Sequence, residues 1–302
     1  MTTTDLSQRP SVRPAPRPAR LADRVPALVG ASLNAGARLA PRVTGRLALE
    51  LWRRPGRPAA VRDDEQDVHT AARRSLVDHD GTEVAAYAWG DGERPVLFVH
   101  GWGARASRFA EVVAALLGAG YSPVAYDAWG HGATPGPVRT IVEHQVVIAE
   151  LERRHGPFAG VVAHSFGVPV ALYAARSGLR AERLVALSGM GEFGYVVDTF
   201  CERLGLGATV NRELRRAIER AWFAGDTGIW ERFSAQPLPD REVLVVHDAA
   251  DRVVDRSQAD RLVEALGDGA RLVETRGLGH GRILRDQAVV GEVVAFLEGG
   301  RP

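Results

Sequence analysis

The residues best suited to chemistry surround Ser165. An apolar run, residues 160–164, leads into this serine, and a helix-forming run, residues 168–176, follows it. A serine between a strand and a helix, with small residues two positions before and two after, is typical of a nucleophile elbow, a sharp turn that exposes the hydroxyl. Ala163 and Gly167 meet that steric requirement. The pattern therefore predicts Ser165 as a nucleophile.

A serine hydroxyl needs a base to remove its proton, and His280 is the candidate. The chain has nine histidines, but only His280 follows the last predicted strand in a glycine-rich loop, Gly277-Leu278-Gly279-His280-Gly281. Such a loop can bring an imidazole over the elbow, so we predict that His280 activates Ser165.

The base needs a carboxylate to orient it, and two aspartates compete for that role. Asp248 and Asp251 both follow the apolar run 243–246. Asp251 lies further out on the loop, where it can reach the histidine of the next strand, whereas an aspartate at a strand end more often caps a turn. We favour Asp251. The order Ser165, Asp251, His280 then matches nucleophile, acid and base in enzymes with this kind of elbow.

Attack of a serine on a carbonyl group also needs N–H donors for the oxyanion that develops. The Phe166 amide directly follows the nucleophile at the start of a helix, where N–H groups are unpaired. The Trp102 amide follows His100-Gly101 at the end of the strand predicted for 95–99. We predict that these two backbone groups form the oxyanion hole.

Strands and helices alternate through most of the chain from residue 75 onward. The predicted strands are 75–78, 83–89, 95–99, 122–126, 160–164, 183–187, 243–247 and 271–274, and the predicted helices include 109–117, 141–154, 168–176, 257–266 and 287–297. This alternation predicts a mostly parallel sheet covered by helices on both faces, with the chemistry at the carboxyl ends of the strands.

Residues 192–240 interrupt the alternation. They predict two or three helices and hold seven of the chain's 20 aromatic residues. We interpret this segment as a lid over an apolar substrate pocket, although the aromatic residues could instead form a small core of the segment itself. The predicted pocket residues are Trp102, Phe193, Trp222, Phe223 and Trp230.

Together these motifs resemble the α/β-hydrolase superfamily. The resemblance covers residues 75–298 and depends on His100-Gly101-Trp102, Asp127-Ala128-Trp129-Gly130-His131-Gly132, Ala163-His164-Ser165-Phe166-Gly167, Asp251 and Gly279-His280. It implies a three-layer α/β/α fold with a mostly parallel eight-stranded sheet, a small helical cap after the sixth strand, and catalytic roles for the serine, aspartate and histidine named above. Alanine at position 163, where the family usually has glycine, is a tolerated departure. The implied domains are a core of residues 63–191 and 241–302, with a cap of residues 192–240.

The N-terminal extension, residues 1–62, lies outside this resemblance. It holds 12 arginines against three acidic residues. Residues 1–20 are predicted to be disordered, and residues 21–54 to be helical with Val43, Leu47 and Leu51 on one apolar stripe. We favour a helix packed on its own domain over peripheral contact with an anionic membrane, because the stripe is short. Nucleic acid is not expected as a partner, since Trp52 is the segment's only stacking aromatic.

The rest of the composition bears on the cellular location of the protein and on disulfides, metals and cofactors. The N-terminus lacks the apolar core of a secretory signal, and no apolar run reaches the ~18 residues of a membrane span, so we expect a cytoplasmic protein. The lone Cys201 excludes an internal disulfide. No spacing indicates a metal or a cofactor, and we expect neither.

The expected function is cleavage of a small or medium, apolar carboxylic ester through an acyl-enzyme. Thioesterase, C–C hydrolase, acyltransferase and haloperoxidase activities use related serine chemistry and stay open, because a fold does not choose among them. A non-catalytic ligand receptor is the remaining alternative. If residues 1–60 are peripheral, their deletion should leave ester turnover largely intact.

Overall fold

The structure is a computed structural model that describes residues 21–299. The disorder predicted for residues 1–20 lies outside the described residues. None of the described helices is both long enough and apolar enough to cross a lipid bilayer.

One eight-stranded sheet forms the centre of the molecule. Its strands are β1 Arg73–His79, β2 Thr82–Ala88, β3 Pro95–Val99, β4 Ser122–Tyr126, β5 Gly160–His164, β6 Arg183–Leu187, β7 Glu242–Asp248 and β8 Ala270–Thr275, in the spatial order β1-β2-β4-β3-β5-β6-β7-β8. The pairs β1–β2 and β2–β4 are antiparallel, and every other pair is parallel. The mostly parallel eight-stranded sheet predicted from the sequence is thus confirmed.

Helices precede the first strand, connect later strands and follow the last one. They are α1 Leu21–Leu39, α2 Pro41–Trp52, α3 Gln66–Thr70, α4 Ala110–Gly118, α5 Ile141–His155, α6 Gly167–Arg176, α7 Tyr195–Arg203, α8 Ala208–Trp222, α9 Ile229–Arg232, α10 Ser257–Leu266, α11 Gly279–Arg282 and α12 Gln287–Leu297.

Strand β3 is apolar at every position because both faces of the sheet are covered. In β3, Leu97 and Val99 pack into a core beneath α5, α6 and α10, whereas Val96 and Phe98 pack into a second core beneath α4 and α12. A strand covered on both faces has this continuous apolar sequence. The three-layer α/β/α arrangement follows.

Helices α7, α8 and α9 form one further group beside the carboxyl ends of the strands, and helix α2 packs onto this group. Helices α7, α8 and α9 lie between β6 and β7 in the chain. Helix α2 packs against α8 through small and apolar residues, namely Thr44, Gly45, Ala48, Leu49 and Trp52. This is a different face from the one that the sequence suggested, since Val43, Leu47 and Leu51 lie on the solvent side.

Candidate active site

Ser165 lies on a tight turn between β5 and α6. Its φ angle is +55°, a backbone conformation that a non-glycine residue adopts only where its surroundings enforce it. The Ser165 amide donates to the Leu187 carbonyl at 3.0 Å, and its own carbonyl accepts from the Val168 amide at 3.0 Å. A side chain at Gly167 would come within 2.2 Å of the Val99 carbonyl oxygen, so this position has to be glycine. These contacts are those of the nucleophile elbow predicted from the sequence.

His280 is hydrogen bonded to Asp251. Its Nδ1 lies 2.8 Å from Asp251 Oδ2, and because a carboxylate can only accept, Nδ1 carries the proton. The remaining nitrogen, Nε2, is then the basic atom of the ring. The Asp251 side chain is fully buried and that of His280 is 18% exposed.

Asp251 is held as a carboxylate by its hydrogen bonds. Its second oxygen, Oδ1, accepts from the Val253 amide at 2.8 Å and the Val254 amide at 3.1 Å. Burial alone raises the pKa of the Asp251 carboxyl, but the hydrogen bond from His280 and those two amides outweigh it and keep that pKa below its ordinary value. A negative charge therefore faces the His280 ring.

Asp248 has a different set of partners. It accepts from the Thr275 hydroxyl at 2.9 Å, the Leu278 amide at 2.8 Å and the Ala250 amide at 3.0 Å. These bonds tie the end of β7 to the loop that carries His280. Of the two candidates, the structure brings Asp251 to the histidine and leaves Asp248 to fix the loop.

The two predicted oxyanion amides flank the serine. Within residues 21–299, neither the Phe166 nor the Trp102 N–H donates a hydrogen bond to another protein group. Gly101, which precedes Trp102, lies so close to the elbow that a Cβ on it would come within 2.7 Å of Ser165 Cβ. Two unpaired donors next to the serine are what an oxyanion hole requires.

His100 fixes the orientation of the Gly101–Trp102 peptide. Its Nδ1–H donates to the Gly101 carbonyl at 2.8 Å, and its Nε2 accepts from the Ala128 amide at 3.0 Å. The Ala104 amide also donates to the Gly101 carbonyl, at 3.2 Å. Because the C=O and N–H of a trans peptide point in opposite directions, the Trp102 N–H points away from these partners.

Asp127 also holds the loop after β3 in place, a role that was not predicted from the sequence. Its carboxylate accepts from the Ala106 and Ala133 amides at 2.8 Å each and from the Tyr87 hydroxyl at 2.9 Å. It thereby joins the loop after β3 to the loop after β4. Asp127 is the first residue of the motif Asp127-Ala128-Trp129-Gly130-His131-Gly132, and its place there could have indicated this role.

A cavity of about 260 Å³ contains both Ser165 and His280. Its size is slightly below the range of about 300–1,000 Å³ usual for ligand pockets. The other walls come from loops, helix α7 and the N-terminal extension. They include Trp52, Trp102, Phe166, Met190, Tyr195, Val196, Thr199, Phe200, Arg203, Val253 and Val254. Most of these side chains are apolar.

Trp52, from the N-terminal extension, is part of this wall. It is the last residue of α2 and is 5% exposed. Its ring stacks on Trp102 with centroids 5.0 Å apart and contacts Trp222 of α8 at 5.6 Å. The extension therefore reaches the candidate active site.

The structure separates the predicted pocket residues into two groups. Trp102 lines the cavity, but Phe193, Trp222, Phe223 and Trp230 do not. Phe193 stacks on Trp230 at 5.7 Å, and both Phe193 and Phe223 pack on Phe233. Phe193 and Phe233 belong to the core beneath α5, α6 and α10, and Phe223 and Trp230 pack against it. The residues of segment 192–240 that reach the cavity come from α7, Tyr195 to Arg203.

His164 supports the histidine loop from the elbow. Its Nε2–H donates to the His280 carbonyl at 2.9 Å, and the two rings lie 4.6 Å apart. Burial lowers the pKa of His164 to about 3, so this ring stays neutral near pH 7. Within residues 21–299, no group of three or more His, Cys, Asp or Glu side chains is arranged to hold a metal ion.

Comparison with known proteins identifies relatives of this chain. A short segment of 57 residues is 42% identical to the non-heme chloroperoxidase CPO-A1 of Kitasatospora aureofaciens, covering 18% of this chain and 20% of that protein. The chain thus aligns with about a fifth of the length of this relative.

Solved structures share the fold over most of their length. Alpha/beta hydrolase domain-containing protein 10 from mouse is 15% identical, with a TM-score of 0.58, over 76% of this chain and 99% of its own. The esterase RhEst1 from Rhodococcus sp. ECU1013 is 19% identical, with a TM-score of 0.53, over 76% and 98%. The monoacylglycerol lipase of Paleococcus ferrophilus is 20% identical, with a TM-score of 0.53, over 72% and 98%.

A family model covers most of the sheet and the candidate site. The model of the alpha/beta hydrolase family matches residues 96–292, from β3 into α12. This range contains Ser165, Asp251 and His280. The chain belongs to the alpha/beta hydrolase family.

Proposed function

We propose that this protein is a serine hydrolase that cleaves a small or medium, apolar carboxylic ester through an acyl-enzyme. One observation carries the proposal: His280, hydrogen bonded to the buried Asp251, lines the same cavity as Ser165 on its strained turn. This is the combination of nucleophile, base and orienting acid that acyl transfer requires.

In the first half of the reaction, His280 Nε2 takes the proton from Ser165 Oγ as that oxygen attacks the ester carbonyl. The Trp102 and Phe166 N–H groups bind the oxyanion of the tetrahedral intermediate. Asp251 stabilises the imidazolium that forms. The imidazolium then protonates the departing alcohol, and the acyl group stays on the serine.

In the second half, His280 removes a proton from water, which attacks the acyl carbon. The same two amides bind the second oxyanion. Collapse of this intermediate releases the carboxylic acid, and the proton on His280 returns to Ser165 Oγ. Atoms and charges balance without a cofactor.

The cavity walls indicate the substrate class. Trp52, Phe200 and Val253 offer apolar surface, and the cavity volume of about 260 Å³ limits the acyl group to a short or medium one. Removing such a group from water favours binding. We therefore expect p-nitrophenyl esters of short and medium acyl chains to be cleaved faster than long-chain esters.

A fluorophosphonate probe tests the nucleophile. The wild-type protein should be labelled, and Ser165→Ala should lose both labelling and ester turnover while keeping the wild-type melting temperature. Ser107→Ala, a change at another buried serine, is the matched control and should still be labelled. Failure of the folded wild-type protein to react with the probe would overturn the proposal.

A perhydrolase activity is the second candidate, favoured by the segment similar to a chloroperoxidase. In that case hydrogen peroxide, rather than water, attacks the acyl-serine and releases a peracid, which oxidises a halide to hypohalous acid. Bromination of a diketone in the presence of acetate, peroxide and bromide would reveal it. If it depends on Ser165 and exceeds ester hydrolysis, this candidate replaces the first.

A further inference from the structure

Helix α2 exposes an apolar row that the fold does not cover. Val43 is 54% exposed, Leu47 57% and Leu51 40%. Their spacing of four residues places them along one side of the helix. Large apolar side chains exposed singly are ordinary, but a contiguous row indicates a surface that binds something.

The row is not required for packing α2 onto the protein. The opposite side of the helix does that, through Thr44, Gly45 and Ala48, and the close approach at Gly45 leaves no space for a side chain. The exposed row therefore has no structural partner within residues 21–299.

The row is bordered by positive charge. Arg42 and Arg46 are exposed on the same helix, and the exposed Arg54 follows its end. The one acidic residue of α2, Glu50, is paired with Arg53 at 3.1 Å. Apolar residues flanked by arginines are the composition of a helix that lies in the interface of a membrane with anionic lipids.

The row also ends at the candidate active site. Leu51 directly precedes Trp52, whose ring lines the cavity with Ser165 and His280. A surface bound through α2 would thus lie beside the wall that Trp52 forms.

We propose that the α2 face, formed by Arg42, Val43, Arg46, Leu47, Leu51 and Arg54, docks the protein on an anionic phospholipid surface. Val43, Leu47 and Leu51 enter the boundary between headgroups and acyl chains, and the arginines contact phosphate groups. The apolar side chains alone or the arginines alone would give weak binding, and the two together give stable attachment.

A second copy of this chain fits the face less well. A two-fold interface brings the same surface of both subunits together, which would place the arginines of one face close to those of the other. The exposed face of α2 holds only seven residues, whereas a stable interface takes about 20–30 on each side.

Co-sedimentation with vesicles tests this docking. Full-length Ser165→Ala is used so that the measurement does not depend on turnover, with vesicles of phosphatidylcholine alone or mixed equally with phosphatidylglycerol. We expect binding to the mixed vesicles only, weakened by added salt. Leu47→Glu should lower the partition coefficient about tenfold, and each of Arg42→Gln and Arg46→Gln about fivefold.

Val146→Glu is the matched control, since Val146 is an exposed apolar residue on α5, 43% exposed and distant in sequence from α2. It should bind as the parent does. Melting temperatures equal to that of the parent show that each variant is folded.

Three outcomes would overturn the proposal. They are absence of binding to the mixed vesicles, equal binding to both kinds of vesicle, and binding that Leu47→Glu leaves unchanged. A dimer in sedimentation equilibrium that Leu47→Glu dissociates would also overturn it, in favour of a second copy. Loss of ester turnover in Ser165→Ala bears on the proposed function alone.

Discussion

At the scale of single residues, the two aspartates after β7 divide two tasks between them. Asp251 contacts the His280 ring, and Asp248 accepts three hydrogen bonds that hold the loop carrying that histidine. In the proposed mechanism, one carboxylate therefore orients the imidazole, and the other fixes the loop that carries it.

Substituting each aspartate separates these tasks. Asp251→Asn should lower kcat by about 10³–10⁴, because an amide can donate to His280 and favour the wrong tautomer, while the melting temperature changes little. Asp248→Asn should mainly lower the melting temperature, because its amide nitrogen cannot accept from the Thr275 hydroxyl or the Leu278 amide. Steady-state kinetics and thermal unfolding of both variants measure this.

The opposite pattern would contradict the assignment. If Asp248→Asn lost more kcat than Asp251→Asn at a temperature where both are folded, Asp248 would be the residue that orients His280. Thr275→Val provides a control, since it removes one partner of Asp248 without touching Asp251, and it should resemble a mild form of Asp248→Asn.

At the scale of elements, the contact between α2 and α8 connects the N-terminal extension to the candidate active site. A Cβ at Gly45 would lie 2.5 Å from the Glu213 carbonyl oxygen of α8. This close approach places Trp52, seven residues later on the same helix, against Trp102 and Trp222. The position of the cavity wall thus depends on a glycine outside the cavity.

Gly45→Ala should therefore destabilise the protein and reduce ester turnover. The added methyl group meets backbone atoms, so α2 must shift, at a cost of about 1–3 kcal/mol in the free energy of unfolding. The shift moves Trp52 away from Trp102, and we expect kcat/KM to fall several-fold. Denaturant unfolding and p-nitrophenyl ester kinetics measure the two effects.

Gly291→Ala in α12 is the matched control, because a Cβ there meets no atom within 4 Å. It should raise the free energy of unfolding by up to about 1 kcal/mol, as alanine does in an open helix position. Equal stability of the Gly45→Ala and Gly291→Ala variants would show that the contact with α8 is looser than described.

The same contact shows where sequence patterns lose information. Strands such as β3 and β5 could be predicted because burial on both faces makes nearly every residue apolar. The packing face of α2 could not, because Thr44, Gly45 and Ala48 pack by being small, whereas hydropathy favours the larger Val43, Leu47 and Leu51.

The candidate site shows the same limit. Ser165, Asp251 and His280 could be chosen from their order and from the loops that carry them. The pocket could not, since an aromatic residue is equally suited to a cavity wall and to a core. Phe193 lies in the core with Trp230 stacked on it, whereas Trp52 reaches the cavity from 113 residues before the serine in the chain.

At the scale of the whole molecule, three buried histidines link stability to pH. Burial lowers the pKa of His131 to about 4, of His144 to about 3 and of His164 to about 3, from an ordinary value of 6.5. All three are therefore neutral in the folded protein near pH 7. His131 lies in the loop after β4, His144 on α5 and His164 on β5, so the effect is spread over the core.

The sign of the effect follows from proton uptake. Below pH 6.5 these histidines bind protons in the unfolded chain, but in the folded protein they do so only near pH 3–4. The unfolded state thus binds more protons over this window, and stability falls as the pH falls. Each histidine that is protonated in the unfolded chain but neutral in the folded protein lowers the free energy of unfolding by up to about 1.4 kcal/mol for each pH unit of acidification.

We therefore expect the free energy of unfolding to be nearly constant from pH 9 to 7 and to decrease from pH 6.5 towards 4. His144→Gln, which removes one titrating group, should reduce the slope in that window by the share of one histidine, even if the lost bond to the Tyr126 hydroxyl lowers stability at every pH. Urea unfolding at a series of pH values measures the slope. A wild-type slope of zero between pH 6.5 and 4, or a slope that His144→Gln leaves unchanged, would contradict the assignment, because a histidine that stays neutral only when folded must make unfolding take up a proton.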